Sequence, residues 1–121
     1  MATTTNSWGI TEIYLKAEEI TNEQQTVSDM LDRLMNEAKK RGDAADKYTQ
    51  LVIQLHEDNE TGKEWKIFVY ANIENDTYTY SYQDQDFWDS DFYRSVTREF
   101  MMAKVMEELH RYGFDWIALD F

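Results

Sequence analysis

The 121-residue chain contains no cysteine and no proline, and its four glycines are never grouped. Without cysteine there can be neither disulfides nor thiolate metal ligands, which fits a reducing compartment and makes a cytoplasmic location the expectation. Without proline there is no proline-imposed helix break or stiff linker. No composition shift marks a boundary, so a single domain over residues 1–121 is expected, with residues 1–7 disordered. Scattered glycines leave no loop to cradle phosphate, and no G-x-S-x-G nucleophile turn is present. No apolar run approaches the ~20 residues of a membrane span. The start, Met1-Ala2-Thr3-Thr4-Thr5-Asn6-Ser7, lacks the basic and apolar regions of a signal peptide. The triplets Asn59-Glu60-Thr61 and Asn75-Asp76-Thr77 are therefore read as chance matches to a glycosylation site.

Basic residues are also scarce, 12 against 24 acidic ones, for a net charge of −12. Phosphate backbones and anionic membranes are bound through clustered Lys and Arg, so neither direct nucleic-acid binding nor membrane binding is expected. An acidic surface is instead steered toward basic ones, or serves solubility alone.

What is present is the patterning of an α+β domain, with two helices packed on an antiparallel sheet. The apolar residues Met30, Leu31, Leu34, Met35 and Ala38 recur at helical spacing after a cap at Thr26-Val27-Ser28-Asp29. Lys39-Lys40-Arg41 and Gly42 mark the helix exit, because cations and a left-handed glycine suit that end. Residues 10–20 can be read either way. Ile13, Leu15 and Ala17 alternate as in a strand, while Ile10, Ile13, Ala17 and Ile20 share one helical face; the strand is preferred.

Three further strands alternate clearly: Leu51, Ile53 and Leu55; Trp65, Ile67, Val69, Ala71 and Ile73; then Tyr78, Tyr80 and Tyr82. The turn-rich connectors 58–62 and 74–76 make them an antiparallel meander. Asp89-Ser90-Asp91 is read as the cap of a second helix reaching Tyr112. Its stripe is Val96, Phe100, Ala103, Met106 and Leu109, widened by Met101, Met102 and Val105. Trp116–Phe121 is read as a last strand, for the order β-α-β-β-β-α-β.

The chain carries few residues patterned for chemistry. His56 and His110 stand on different elements without metal-ligand spacing, so they are read as an exposed strand residue and a helix-end residue. The run from Asp84 to Asp91 has the flavour of a calcium loop. The EF-hand pattern, however, needs an oxygen ligand, Gly and Glu where this chain has Trp88, Asp89 and Ser95. No metal, cofactor or catalytic residue is expected, and carboxylate pairs are too numerous here to single out an acid/base couple.

The most informative segment spans residues 74–93. Glu74, Asp76, Asp84, Asp86, Asp89 and Asp91 gather there without a cation before Arg94, interleaved with aromatic residues. Uncompensated carboxylates repel one another, while Tyr and Trp are frequent binding anchors. The expected partner-binding set is these six acids with Tyr80, Tyr82 and Trp88. The alternative is structural: tyrosines completing the core and Asp89 and Asp91 acting only as caps.

Thr49-Gln50-Leu51-Val52-Ile53, the acidic turn from Asp58 to Gly62 and the Asn75-Asp76 turn, within residues 26–112, resemble in order and character small acidic phage-encoded inhibitors. Among these are anti-CRISPR proteins that block a DNA-binding groove. The resemblance implies inhibition by imitation of nucleic-acid charge, with aspartates placed where phosphates lie. This chain departs from that pattern in its extra N-terminal segment and its final strand. The function expected is that of a non-enzymatic acidic inhibitor or antidote docking on a basic protein surface, such as that of a nucleic-acid-binding protein. The alternatives are a toxin-immunity protein, a scaffold or homodimer joined through the Met-rich helix face and the Trp116–Phe121 strand, and a small-molecule binder.

Overall fold

The computed structural model describes residues 2–5, 11–20, 22–42, 49–57, 59–84 and 87–111, with backbone alone for residues 2, 18, 23, 82–84 and 87–95. The chain order is β1 (Ala2–Thr5), β2 (Thr11–Lys16), a 3-10 turn (Ala17–Glu19), α1 (Glu23–Arg41), β3 (Thr49–Glu57), β4 (Glu64–Asn72), β5 (Thr77–Asp84), β6 (Phe87–Val96) and α2 (Arg98–Arg111). The six strands lie side by side in sequence order.

The α+β architecture with two helices and the β3-β4-β5 meander agrees with the sequence reading, and the strand reading of Thr11–Lys16 holds. One pairing refines it. β2 and β3 are parallel, from Thr11↔Thr49 to Lys16↔Gln54, so the sheet is mixed. The cause is α1, which carries the chain from the end of β2 back to the level where β2 began, as parallel neighbours require.

Three expectations are corrected. Residues 2–5 are not disordered: β1 pairs with β2 from Ala2↔Tyr14 to Thr5↔Thr11. β-branched threonines suit an edge strand, and the Arg33 guanidinium donates to Thr3 Oγ1 at 2.7 Å. Second, α1 begins a turn before the expected cap. Asn22 Oδ1 accepts from the Gln25 backbone N–H at 3.2 Å, and Val27, the first residue of the buried stripe, is already inside the helix.

Third, Asp89-Ser90-Asp91 does not stand at the start of a helix. It lies in β6, whose aromatic-rich sequence pairs antiparallel with β5 over two register shifts. Thr97 takes the capping role, its Oγ1 accepting from the Phe100 N–H at 3.1 Å. Of the wide apolar face expected on α2, Met101, Val105 and Leu109 are buried, with Glu108 beside them, while Phe100 is 49% exposed and Ala103 is exposed. The expected final strand, Trp116–Phe121, lies outside the described residues.

The core sits between the helices and one face of the sheet. Register explains its composition: Ile13↔Leu51↔Val69↔Tyr80 form a row across four strands and Leu15↔Ile53↔Ile67 one across three. Leu31 and Leu34 of α1 and Met101, Val105 and Leu109 of α2 close over those rows, each fully buried. Each such aliphatic side chain contributes roughly 1.5–3 kcal/mol relative to exposure.

Gly42 ends α1 at φ 71, with its N–H donating to Lys39 O at 3.1 Å. A β-carbon there would touch nothing, so the cost of Gly42→Ala is conformational alone. The expected loss is about 1 kcal/mol, read as a fall of about 4 °C in melting temperature.

Candidate partner-binding surface

Strand topology divides the acidic stretch. Glu74 and Asp76 occupy the β4–β5 turn, both exposed. That turn is held by its asparagines: Asn72 Oδ1 accepts from the Glu74 N–H at 3.4 Å, and Thr77 Oγ1 donates to Asn75 Oδ1 at 2.5 Å. Asp76 has φ 54, a left-handed conformation that Asp tolerates better than most residues. Its carboxylate pairs with Lys39 Nζ at 2.8 Å, at the cationic end of α1. Asp76 thus has a cation partner on α1.

Asp84 stands at the far end of β5, a strand of 8 residues, or roughly 23 Å away at ~3.3 Å per step. Asp89 and Asp91 lie along β6, between the two ends. Asp86 and the side chains of Tyr82, Asp84, Trp88, Asp89 and Asp91 lie outside the described residues. The backbone positions of Asp84, Asp89 and Asp91 therefore do not gather around the β4–β5 turn that holds Glu74 and Asp76.

The expected aromatic anchor Tyr80 is a core residue. It is 2% exposed and sits opposite Val69, beneath the helices. Tyr78, also 2% exposed, donates its hydroxyl to the Leu31 carbonyl of α1 at 3.2 Å. Burial pushes its phenol up to about 12. The alternation expected along β5 is present, with Tyr78 and Tyr80 on its buried side.

A different acidic edge arises where the β3–β4 connection and the end of β5 meet. Glu57 and Glu64 face each other in the last rung of β3–β4. Asp84 follows Gln83, which pairs with Lys66, and so reaches the same level. Among the described residues, Glu57, Glu60, Glu64 and Asp84 stand here against Lys63 and Lys66. Glu57 and Glu60 are exposed. Gln54 Nε2 donates to Glu57 Oε2 at 3.2 Å, and Glu64 pairs with Lys66 Nζ at 2.6 Å. Burial, the largest single effect, pulls the Lys66 ammonium down, but the Glu64 carboxylate and the Tyr14 phenol together outweigh it and leave the group above its ordinary value.

A bulge between Gln54 and His56 shapes this edge. The extra residue, Leu55, is buried in the core, and His56 is turned to the side of Trp65. The two rings meet at 5.0 Å and 48°. Beside them Lys16, Gln54, His56, Glu57 and Asn59 line a cleft of 280 Å³. From the sequence, residues 58–62 read as an acidic turn without strand-end partners. The missed signal was the pairing of two charge-bearing strand ends, which becomes visible only once register is known.

The helices are clamped by Arg98. Its guanidinium holds Asp32 at 2.9 and 3.2 Å, donates to Ser28 Oγ, and reaches Met102 Sδ at 3.4 Å. Asp32 raises the affinity of Arg98 for its proton, so the clamp stays charged. Glu108, fully buried, lies 3.1 Å from Lys104 and 3.5 Å from Arg111. Its carboxylate is compensated by cations on its own helix.

Among the described residues no group of three or more His, Asp or Glu side chains is placed to hold a metal ion. Nor is any helix among them long and apolar enough to cross a membrane. His56 and His110 are both exposed, on β3 and in the last turn of α2, as expected. No family model matches the chain, and no curated protein or solved structure shows significant similarity to it.

Proposed function

We propose that this protein is a non-enzymatic acidic inhibitor that docks on a basic, nucleic-acid-binding surface of a partner protein. The observation that carries the reading is the acidic edge at the β3–β4 connection, where Glu57, Glu60 and Glu64 join the end of β5 at Asp84. The net charge of −12 adds a long-range field of the same sign. Such a field raises association rates with cationic surfaces by about 10- to 1,000-fold and weakens with salt. The His56–Trp65 pair beside the carboxylates supplies flat ring surface for contact. The carboxylates take the role that phosphates play toward the partner, in line with the charge-imitating inhibitors the sequence resembles.

The test is capture from a bacterial lysate at low salt, using the protein and a Glu57→Gln/Glu60→Gln/Glu64→Gln/Asp84→Asn variant. We expect the wild type to retain basic nucleic-acid-binding proteins that are released by duplex DNA or by about 0.5 M NaCl. The neutralised variant should lose them while melting at nearly the same temperature. Capture that is indifferent to the four substitutions or to DNA would overturn the reading.

A further inference from the structure

We infer that the groove between α1 and α2 is a second docking site, built for an amphipathic, basic helix of a partner protein. This goes beyond the acidic-edge reading, because it concerns another face and a contact that is apolar at its centre. The groove encloses 870 Å³ between the start of α1 and the outer side of α2. Met102 and Met106, one turn apart and half-buried, form its floor with the exposed Ala103, and Gln24, Gln25 and Ser28 form the facing wall. Methionine is suited to such a floor, since its unbranched, polarisable side chain adapts to whatever apolar surface is laid on it. Phe100, 49% exposed, stands on the same helix as the largest exposed apolar side chain among the described residues.

Charge decides the occupant. The cation in the lining, Arg98, is neutralised by Asp32. Glu99 in the lining and the exposed Asp29, held by Gln25 Nε2 at 2.8 Å, leave the rim negative. A second copy of a chain carrying −12 would bring like charge to this rim. An amphipathic helix with Lys or Arg flanking an apolar stripe satisfies floor and rim together, with anchors at helical spacing against Met102 and Met106.

The probe is a synthetic Leu/Lys peptide patterned as an amphipathic helix, with a scrambled peptide of identical composition as control. Carbon-13 methyl spectra of the six methionines report location. We expect the Met102 and Met106 methyls to shift and that of the buried Met101 to stay, with affinity for the patterned peptide at least about tenfold above the scrambled one. Met102→Gln/Met106→Gln, and separately Ala103→Arg at an exposed helix position, should each remove that preference. Glu57→Gln/Glu60→Gln/Glu64→Gln should leave it in place, which separates this site from the acidic edge.

Equal affinity for the two peptides, or shifts that avoid Met102 and Met106, would overturn the inference. So would dimers that Ala103→Arg dissociates, which would make the occupant a second copy. Contacts between these methyls and the Trp116 indole in the free protein would assign the groove to the chain's own C-terminal segment.

Discussion

Tyr80→Ala is expected to cost about 3–5 kcal/mol, the range for deleting a large buried aromatic side chain. Domains of this size hold roughly 5–15 kcal/mol in total, so the variant should sit near the edge of folding at 37 °C. The cause is position: Tyr80 faces the helices opposite Val69, within a row that continues through Leu51 to Ile13. Removing the ring opens a cavity bounded by side chains that are themselves fully buried. Urea unfolding would show a lower midpoint at unchanged slope. Glu74→Ala, at an exposed turn position, should stay within about 0.5 kcal/mol of wild type. A Tyr80→Ala protein of normal stability that had lost partner binding would instead return Tyr80 to the surface set.

Alkaline pH should destabilise the protein through Tyr78. Its phenol titrates near 10 when exposed in the unfolded chain and is pushed up to about 12 by burial in the fold. The folded state therefore binds that proton more tightly. The stabilisation is complete below pH ~10 and is lost as pH rises from there to ~12, by roughly 2–3 kcal/mol in all. Tyr78→Phe should flatten that part of the stability profile. Its baseline cost should be only about 0.5–1.5 kcal/mol, because one hydrogen bond to the Leu31 carbonyl is lost while the ring still packs. Tyr14 and Lys66, whose proton affinities are also raised, titrate in both proteins and cancel in the comparison. Identical alkaline profiles for wild type and Tyr78→Phe would show that Tyr78 is not the group responsible.

Only part of residues 74–93 serves the surface. Tyr78 and Tyr80 belong to the interior, Asp76 is paired with Lys39, and Asp84 joins an edge built mainly from β3 and β4. An inhibitor acting through the acidic edge would thus depend on Glu57, Glu60 and Glu64 more than on Glu74 and Asp76.

Much of the framework follows from local pattern alone. The stripe from Met30 to Ala38, the cations before Gly42 and the alternation in β3, β4 and β5 specify one helix and three strands, since backbone periodicity couples each residue only to near neighbours. Composition likewise set the sign of the field and ruled out disulfides and thiolate metal sites. Local pattern failed where the deciding partner lies far along the chain. β6 is a strand because β5 offers it an open edge, although Asp89-Ser90-Asp91 alone suggests a cap. Tyr80 is buried because Val69 and the helices surround it, although tyrosine is equally at home on a surface. Glu57 faces Glu64, and Met102 faces Gln25 and Ser28, only after the chain has turned back on itself. Side-chain period names the residues that share a face; which face is covered, and which charges meet at an edge, is decided by long-range pairing that sequence spacing does not encode.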